Sequence, residues 1–176
     1  MHIMLDLETM GTRPDAPIIA IGAVAFDKEG VHESFYCIVS LHSAVRSGAV
    51  IDPSTVMWWL QQGDSARNAL TETQDDAVGL EEALRDFGQF VCAYGDSLKG
   101  VWGNGATFDN VLMHESGRRC RVPLWEFWKD KCYRTAKGMY PAVEINRSGT
   151  HHNALDDARS QAEHLIAIDA AHGGFL

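Results

Sequence analysis

Apolar residues dominate two stretches of the chain, IMLDL at residues 3 to 7 and IIAIGAVAF at residues 18 to 26. Such continuity fits strands covered on both faces, so residues 2 to 7 and 18 to 26 are expected as the first two strands. The segment between them, with Gly11, Pro14 and Pro17, is a loop. VHESFYCIV, residues 31 to 39, follows a KEG turn and reads as an antiparallel partner of the second strand. A polar connection leads to PSTVMWWLQQ, where Pro53 and Ser54 suit a helix start. Residues 75 to 94 place Leu80, Leu84, Phe87 and Val91 at helical spacing, which predicts an amphipathic helix. LKGVWG, residues 98 to 103, reads as a further strand, and FDNVLMHESG as a helix ended by Gly117. After a Trp- and Lys-rich segment around 125 to 131, the chain closes with a helix whose stripe is Leu155, Ala158, Ala162, Leu165 and Ile166. Asn153 is its expected N-cap, with Asp156 three residues on. This order of elements implies an α/β sandwich with a mixed sheet.

Within that pattern two residues are out of place. Asp6 and Glu8 interrupt the first strand, and residues two apart in a strand share a face, so the carboxylates stand side by side. Like charges so close repel, and burial adds to the cost; both stay ionised only with a positive partner such as a metal ion. Two further segments each bring an acid to the end of an element. Asp109 follows Phe108 behind the strand LKGVWG, and Asp157 lies near the start of the last helix, five residues after His152. Sites in α/β sheets gather at the carboxyl ends of strands, where the first two segments converge. Four carboxylates and one histidine have the makings of a two-metal phosphodiester hydrolase. Hard oxygen ligands suit two Mg2+ or Mn2+ ions, and histidine, whose reference pKa lies near neutrality, suits His152 to the part of general base.

Composition narrows the setting. The 176 residues suit a single domain over 1–176, and 45% hydrophobic with 22% charged residues matches a soluble globular protein. No apolar run approaches the roughly 20 residues of a membrane span, so no membrane partner is expected. The amino terminus carries no basic leader, and the four cysteines form no CxxC pair, which suggests a reduced, cytoplasmic protein. A net charge of -9 argues against coating long duplexes but leaves short or single-stranded nucleic acid open. Arg118, Arg119 and Arg121 form the one basic cluster, and its ordinary role is a solvated face, as for Arg134.

DLET at residues 6 to 9, NGATFD at 104 to 109 and HNALDDA at 152 to 158 closely resemble, in order, the three motifs of the DEDDh 3'-5' exonucleases. That superfamily includes the proofreading subunit of the replicative polymerase, RNase T and oligoribonuclease. With its TVMWWLQQ segment, the chain is most similar to the bacterial and prophage branch that includes RNase AS. The resemblance implies an RNase H-like fold with a five-stranded mixed sheet flanked by helices. It implies Asp6, Glu8, Asp109 and Asp157 as metal-binding acids and His152 as general base, since the family's histidine lies five residues before the last acid. That spacing selects His152 over His151 and Asp157 over Asp156, which is left a structural role. Thr9, Met10 and Gly11 would meet the 3'-terminal nucleotide, with Asn104 and Trp59 as further substrate contacts and Phe108 as core. Trp58 and Trp59 point about 100 degrees apart on a helix, so at most one is expected to face the site. The implied activity is divalent-metal-dependent release of nucleoside 5'-monophosphates from the 3' end of single-stranded nucleic acid, RNA favoured over DNA, by a homodimer. An inactive binding module would lack one of the five residues, and none is missing; an RNase H-like endonuclease commonly lacks the HxAxxD form.

Overall fold

The computed structural model describes residues 1–64, 67–68, 76–150, 152–174 and 176. Five strands, β1 (His2–Thr9), β2 (Ile18–Asp27), β3 (Gly30–Ile38), β4 (Gly100–Gly103) and β5 (Asp130–Cys132), form one sheet in the order β3-β2-β1-β4-β5. The β1–β2 and β2–β3 pairs are antiparallel, whereas β4 and β5 join in parallel, so the sheet is mixed, as expected. Six described helices flank it: α1 (Leu41–Arg46), α2 (Pro53–Leu60), α3 (Leu80–Cys92), α4 (Asp109–Cys120), α5 (Tyr133–Met139) and α6 (Ala154–His172).

The boundaries depart from the sequence pattern in a few places. Helix α2 is capped by Asp52, whose carboxylate accepts from the Ser54 amide at 2.8 Å, and Pro53 takes the first helical position. Helix α3 starts at Leu80 with Gly79 as N-cap; residue 75, where the apolar pattern placed its start, lies outside the described residues. Gly117 does not end α4. The chain folds back there, and a Cβ on Gly117 would lie 2.7 Å from the Val122 carbonyl, so the glycine serves packing while the helix runs on to Cys120. Its stop is Arg121, in the left-handed region at φ 57°. The Trp-rich segment contains β5 and leads into α5, and Trp125, grouped with Trp128 in the sequence, is core: its indole N–H donates to Asp130 at 2.7 Å. Phe127 and Trp128 are exposed.

The alternation of β1 divides the molecule into two cores. Ile3, Leu5 and Leu7 pack toward α3 and α4 with Leu84, Phe87, Leu112 and Met113. Met4 packs on the other face with Val24, Phe26, Ala158, Ala162 and Leu165, the last three from α6. Asp6 and Glu8 share Met4's parity, so the strand aims both acids at α6. Their neighbour makes this possible. Gly22 pairs with Asp6 across β1–β2, and a Cβ on it would lie 2.2 Å from the Ala154 carbonyl carbon and 2.3 Å from the Leu155 nitrogen. The first turn of α6 therefore lies directly on the backbone of β2.

That contact yields a prediction. Because backbone cannot yield as a side-chain tip can, Gly22→Ala should lower stability by about 1–3 kcal/mol or more, read as a shift in the urea midpoint. An unchanged midpoint would show that α6 does not depend on this approach.

Candidate active site

Each acid reaches the site by a different local device. Asp6 and Glu8 arrive on β1, 9% and 7% exposed, and the Gln161 amide donates to Asp6 Oδ1 at 2.7 Å. Asp109 opens α4, and a side chain on Gly103, at the end of β4, would sit 2.9 Å from the Asp109 Cβ and 2.3 Å from Asn110 Oδ1. Asn110 then fixes the turn by donating to the Val101 carbonyl at 2.9 Å and to Asp130 at 3.0 Å. Asp157 lies in the first turn of α6, where the helix dipole favours a carboxylate. Asn153 caps that turn as expected, accepting from the amides of Leu155 and Asp156 at 3.1 and 3.2 Å. Asp156 points away and accepts from the Thr150 amide at 2.7 Å, holding the preceding loop.

The arrangement brings together all five residues read as catalytic. Asp6, Glu8, Asp109, His152 and Asp157 line one cavity of about 210 Å³. Glu8, His152 and Asp157 each offer a ligand atom within 4.8 Å of the others. His152 adopts φ 65°, uncommon for a residue with a side chain, and its amide donates to Asp157 Oδ2 at 3.1 Å. His151 lies outside the described residues.

Burial sets the electrostatics. Asp6 is pushed well above the ordinary carboxyl range, first by burial, then by the charges of Asp109 and Glu8, with the Gln161 hydrogen bond opposing. Burial, then Asp157 and Asp109, push Glu8 up to about 8. Burial also pushes Asp109 up to about 7, with the backbone amides of Asp109 and Asn104 and the Arg134 guanidinium opposing. Asp109 Oδ2 is buried without a hydrogen-bond partner among the described residues. An orphaned, desolvated carboxylate oxygen among like charges fits a divalent cation that prefers hard oxygen ligands.

A second cavity of about 460 Å³ adjoins the first, sharing Leu7, Glu8 and Phe108. It holds Thr9, Gly11, Trp58 and Trp59, and its surface is mainly apolar. Trp59 is 5% exposed and donates its indole N–H to the Thr9 carbonyl at 3.0 Å, so it forms the wall. Trp58 is 41% exposed, with its ring edge-on to His152 at 5.1 Å, so both indoles border the site rather than one. Met10 lines neither cavity and packs against Ile19 and Trp59 instead. Asn104 lines the acidic cavity, and its carbonyl accepts from Arg134 at 2.8 Å. Phe108, expected as core, packs against the core beneath β1 and also lines both cavities. Arg118 and Arg119 line neither and bond to Glu115 and Ser116. Two polar residues of the acidic cavity escaped the sequence reading. Gln161 lies one helical turn beyond Asp157, a spacing that could have found it; Arg147, on the loop before α6, carried no such signal.

Against known proteins, residues 1–168 match the family described as the 3'-5' exoribonuclease Rv2179c-like domain. The exodeoxyribonuclease of enterobacteria phage T4 is 28% identical over 120 residues, 62% of this chain and 52% of that protein, so the chain spans about half its length. Among solved structures, the nuclease domain of 3'hExo, a DEDDh family member bound to rAMP, aligns with TM-score 0.69 at 14% identity, covering 97% of this chain and 92% of that one. Exonuclease X in complex with 5' overhanging duplex DNA gives 0.60 at 19% identity, covering 99% and 95%. S. pombe Pop2p in its Mg2+- and Mn2+-bound form gives 0.65 at 12% identity, covering 97% and 83%. The fold is the RNase H-like exonuclease fold.

The raised acids predict a pH dependence. An acid whose folded pKa exceeds its unfolded one binds its proton more tightly when folded, so its stabilisation is full at low pH and fades as pH rises. For Glu8 that window runs from its ordinary 4.5 to about 8. In chelator, the melting temperature should fall across this window, and Glu8→Gln should flatten the fall. An equally steep fall in the variant would contradict the burial argument.

Proposed function

The chain belongs to the 3'-5' exoribonuclease Rv2179c-like domain family, and on that premise we propose that it is a divalent-metal-dependent 3'-5' exonuclease that releases nucleoside 5'-monophosphates from single-stranded RNA. The observation that carries this reading is the joining of the two cavities at Glu8 and Phe108. A terminal base resting in the apolar cavity, against the open face of Trp58, puts its 5'-phosphate beside the four carboxylates. Stacking on an aromatic face holds a base with little sequence preference.

Asp6, Glu8, Asp109 and Asp157 would hold two Mg2+ or Mn2+ ions, which supply a Lewis acid for the phosphate and lower the pKa of the attacking water. His152 accepts the proton of that water. Its backbone is fixed by the bond to Asp157, and its ring is braced edge-on by Trp58 and Trp59, at 5.1 and 5.9 Å. A positioned base of this kind contributes about two to four powers of ten in rate. RNA is favoured by the family description. Single-stranded DNA is the second reading, favoured by the likeness to the phage exodeoxyribonuclease.

The test uses matched RNA and DNA oligonucleotides with free or blocked 3' ends. Mononucleotides should appear first from free 3' ends, with RNA the faster substrate. Asp6→Asn should abolish hydrolysis with the fold intact, and His152→Ala should slow it by roughly 10²- to 10⁴-fold. Internal fragments appearing first, or cleavage indifferent to a blocked end, would overturn the assignment.

A further inference from the structure

Arg147 occupies a peculiar position. Its Nη1 donates to Asp157 Oδ1 at 2.6 Å, so a guanidinium already lies on a carboxylate of the acidic cavity. The loop that carries it is tied to α6 at several points. The Val143 carbonyl meets His164 Nε2 at 2.8 Å, the Ser148 amide donates to Ser160 Oγ at 3.2 Å, and the Thr150 amide donates to Asp156 at 2.7 Å. His164 is in turn bonded through Nδ1 to the Tyr133 hydroxyl at 2.7 Å. Arg147 therefore springs from an anchored base, while its side chain stays 44% exposed.

Charge arithmetic gives this placement a use. Four carboxylates carry about -4 and two divalent ions +4, so a loaded site is nearly neutral before a phosphodiester adds its own negative charge. The cations left to meet that charge at the cavity wall are Arg147 and Arg134. Arg134 is committed to the Asn104 carbonyl through one nitrogen. Arg147 is held by one oxygen of Asp157, a carboxylate that stands with Glu8 and His152 in a cluster able to take a metal ion.

We propose that Arg147 is a resident counter-ion of the acidic cavity: it neutralises Asp157 in the metal-free protein, yields that carboxylate when divalent ions bind, and then grips a non-bridging oxygen of the bound phosphodiester. This rests on the metal-dependent reading of the site. No bond is made or broken in the exchange, and an arginine fork matches phosphate geometry as well as carboxylate.

Calorimetric titration of Mn2+ into the protein without nucleic acid separates the two roles from catalysis. Arg147→Gln should bind Mn2+ more tightly by roughly three- to fivefold, the scale of a half-exposed ion pair. Arg147→Lys, which keeps the charge, should stay near wild type, and a thermal melt confirms folding of both. With RNA, Arg147→Gln should raise KM more than it lowers kcat. Unchanged or weaker Mn2+ binding in Arg147→Gln, with wild type binding normally, overturns the counter-ion role alone. An unchanged KM overturns the phosphate grip. Wild type that binds no Mn2+ overturns the metal-site reading and this inference with it.

Discussion

Carboxylates withdrawn from water and crowded against one another set the electrostatics of the site around which this protein is built. Each buried carboxylate loses hydration, and each added neighbour of the same sign raises the cost of ionising the rest. Asp6, Glu8 and Asp109 all respond by holding their protons far above the ordinary range. Such a site has two ways to become stable at neutral pH: keep the protons, or exchange them for cations. The hard oxygen donors and the orphaned Asp109 Oδ2 favour the second.

The rest of the fold keeps that crowding in place. The two-residue period of β1 sends Leu5 and Leu7 to one core and Asp6 and Glu8 to the other face. Gly22 lets α6 settle onto the backbone of β2, which brings Asp157 and Gln161 over Asp6. Gly103 does the same for α4 and Asp109. Packing on one side of the sheet, from Leu84, Phe87 and Met113, gives β1 the rigidity to hold charges that repel. The aromatic wall of Trp58, Trp59 and Phe108 continues the site as an apolar cavity, so a charged and an apolar subsite meet at Glu8.

Much of this was legible in the chain because two signals are strong in sequence: continuous apolar strands and acids that interrupt them. The first two strands followed from apolar continuity, the third from the turn before it and helices α3 and α6 from their spacing, and the convergence of Asp6, Glu8, Asp109 and Asp157 followed from their places at element ends. Short elements did not. Helix α1 has six residues and β5 three, too few for a period to register, and β5 is read from pairing with β4 rather than from its own composition. Gly117 misled because a glycine needed for close packing looks like one that ends a helix. Phe108 packs on the core as expected, and only the three-dimensional opening between the cavities shows that it, and both Trp58 and Trp59, also border the site. Arg147 was invisible because its partner lies ten residues on, with no regular element over that whole span.

The central claim is that divalent ions replace protons on these acids, and proton release on metal binding tests it most directly. Ligands must be deprotonated to bind a metal, so Mn2+ titrated at pH 7 in buffers of different ionisation heat should release about one proton or more per protein. Glu8→Gln should reduce that release. Binding whose heat is the same in every buffer, or no binding at all, would contradict the account.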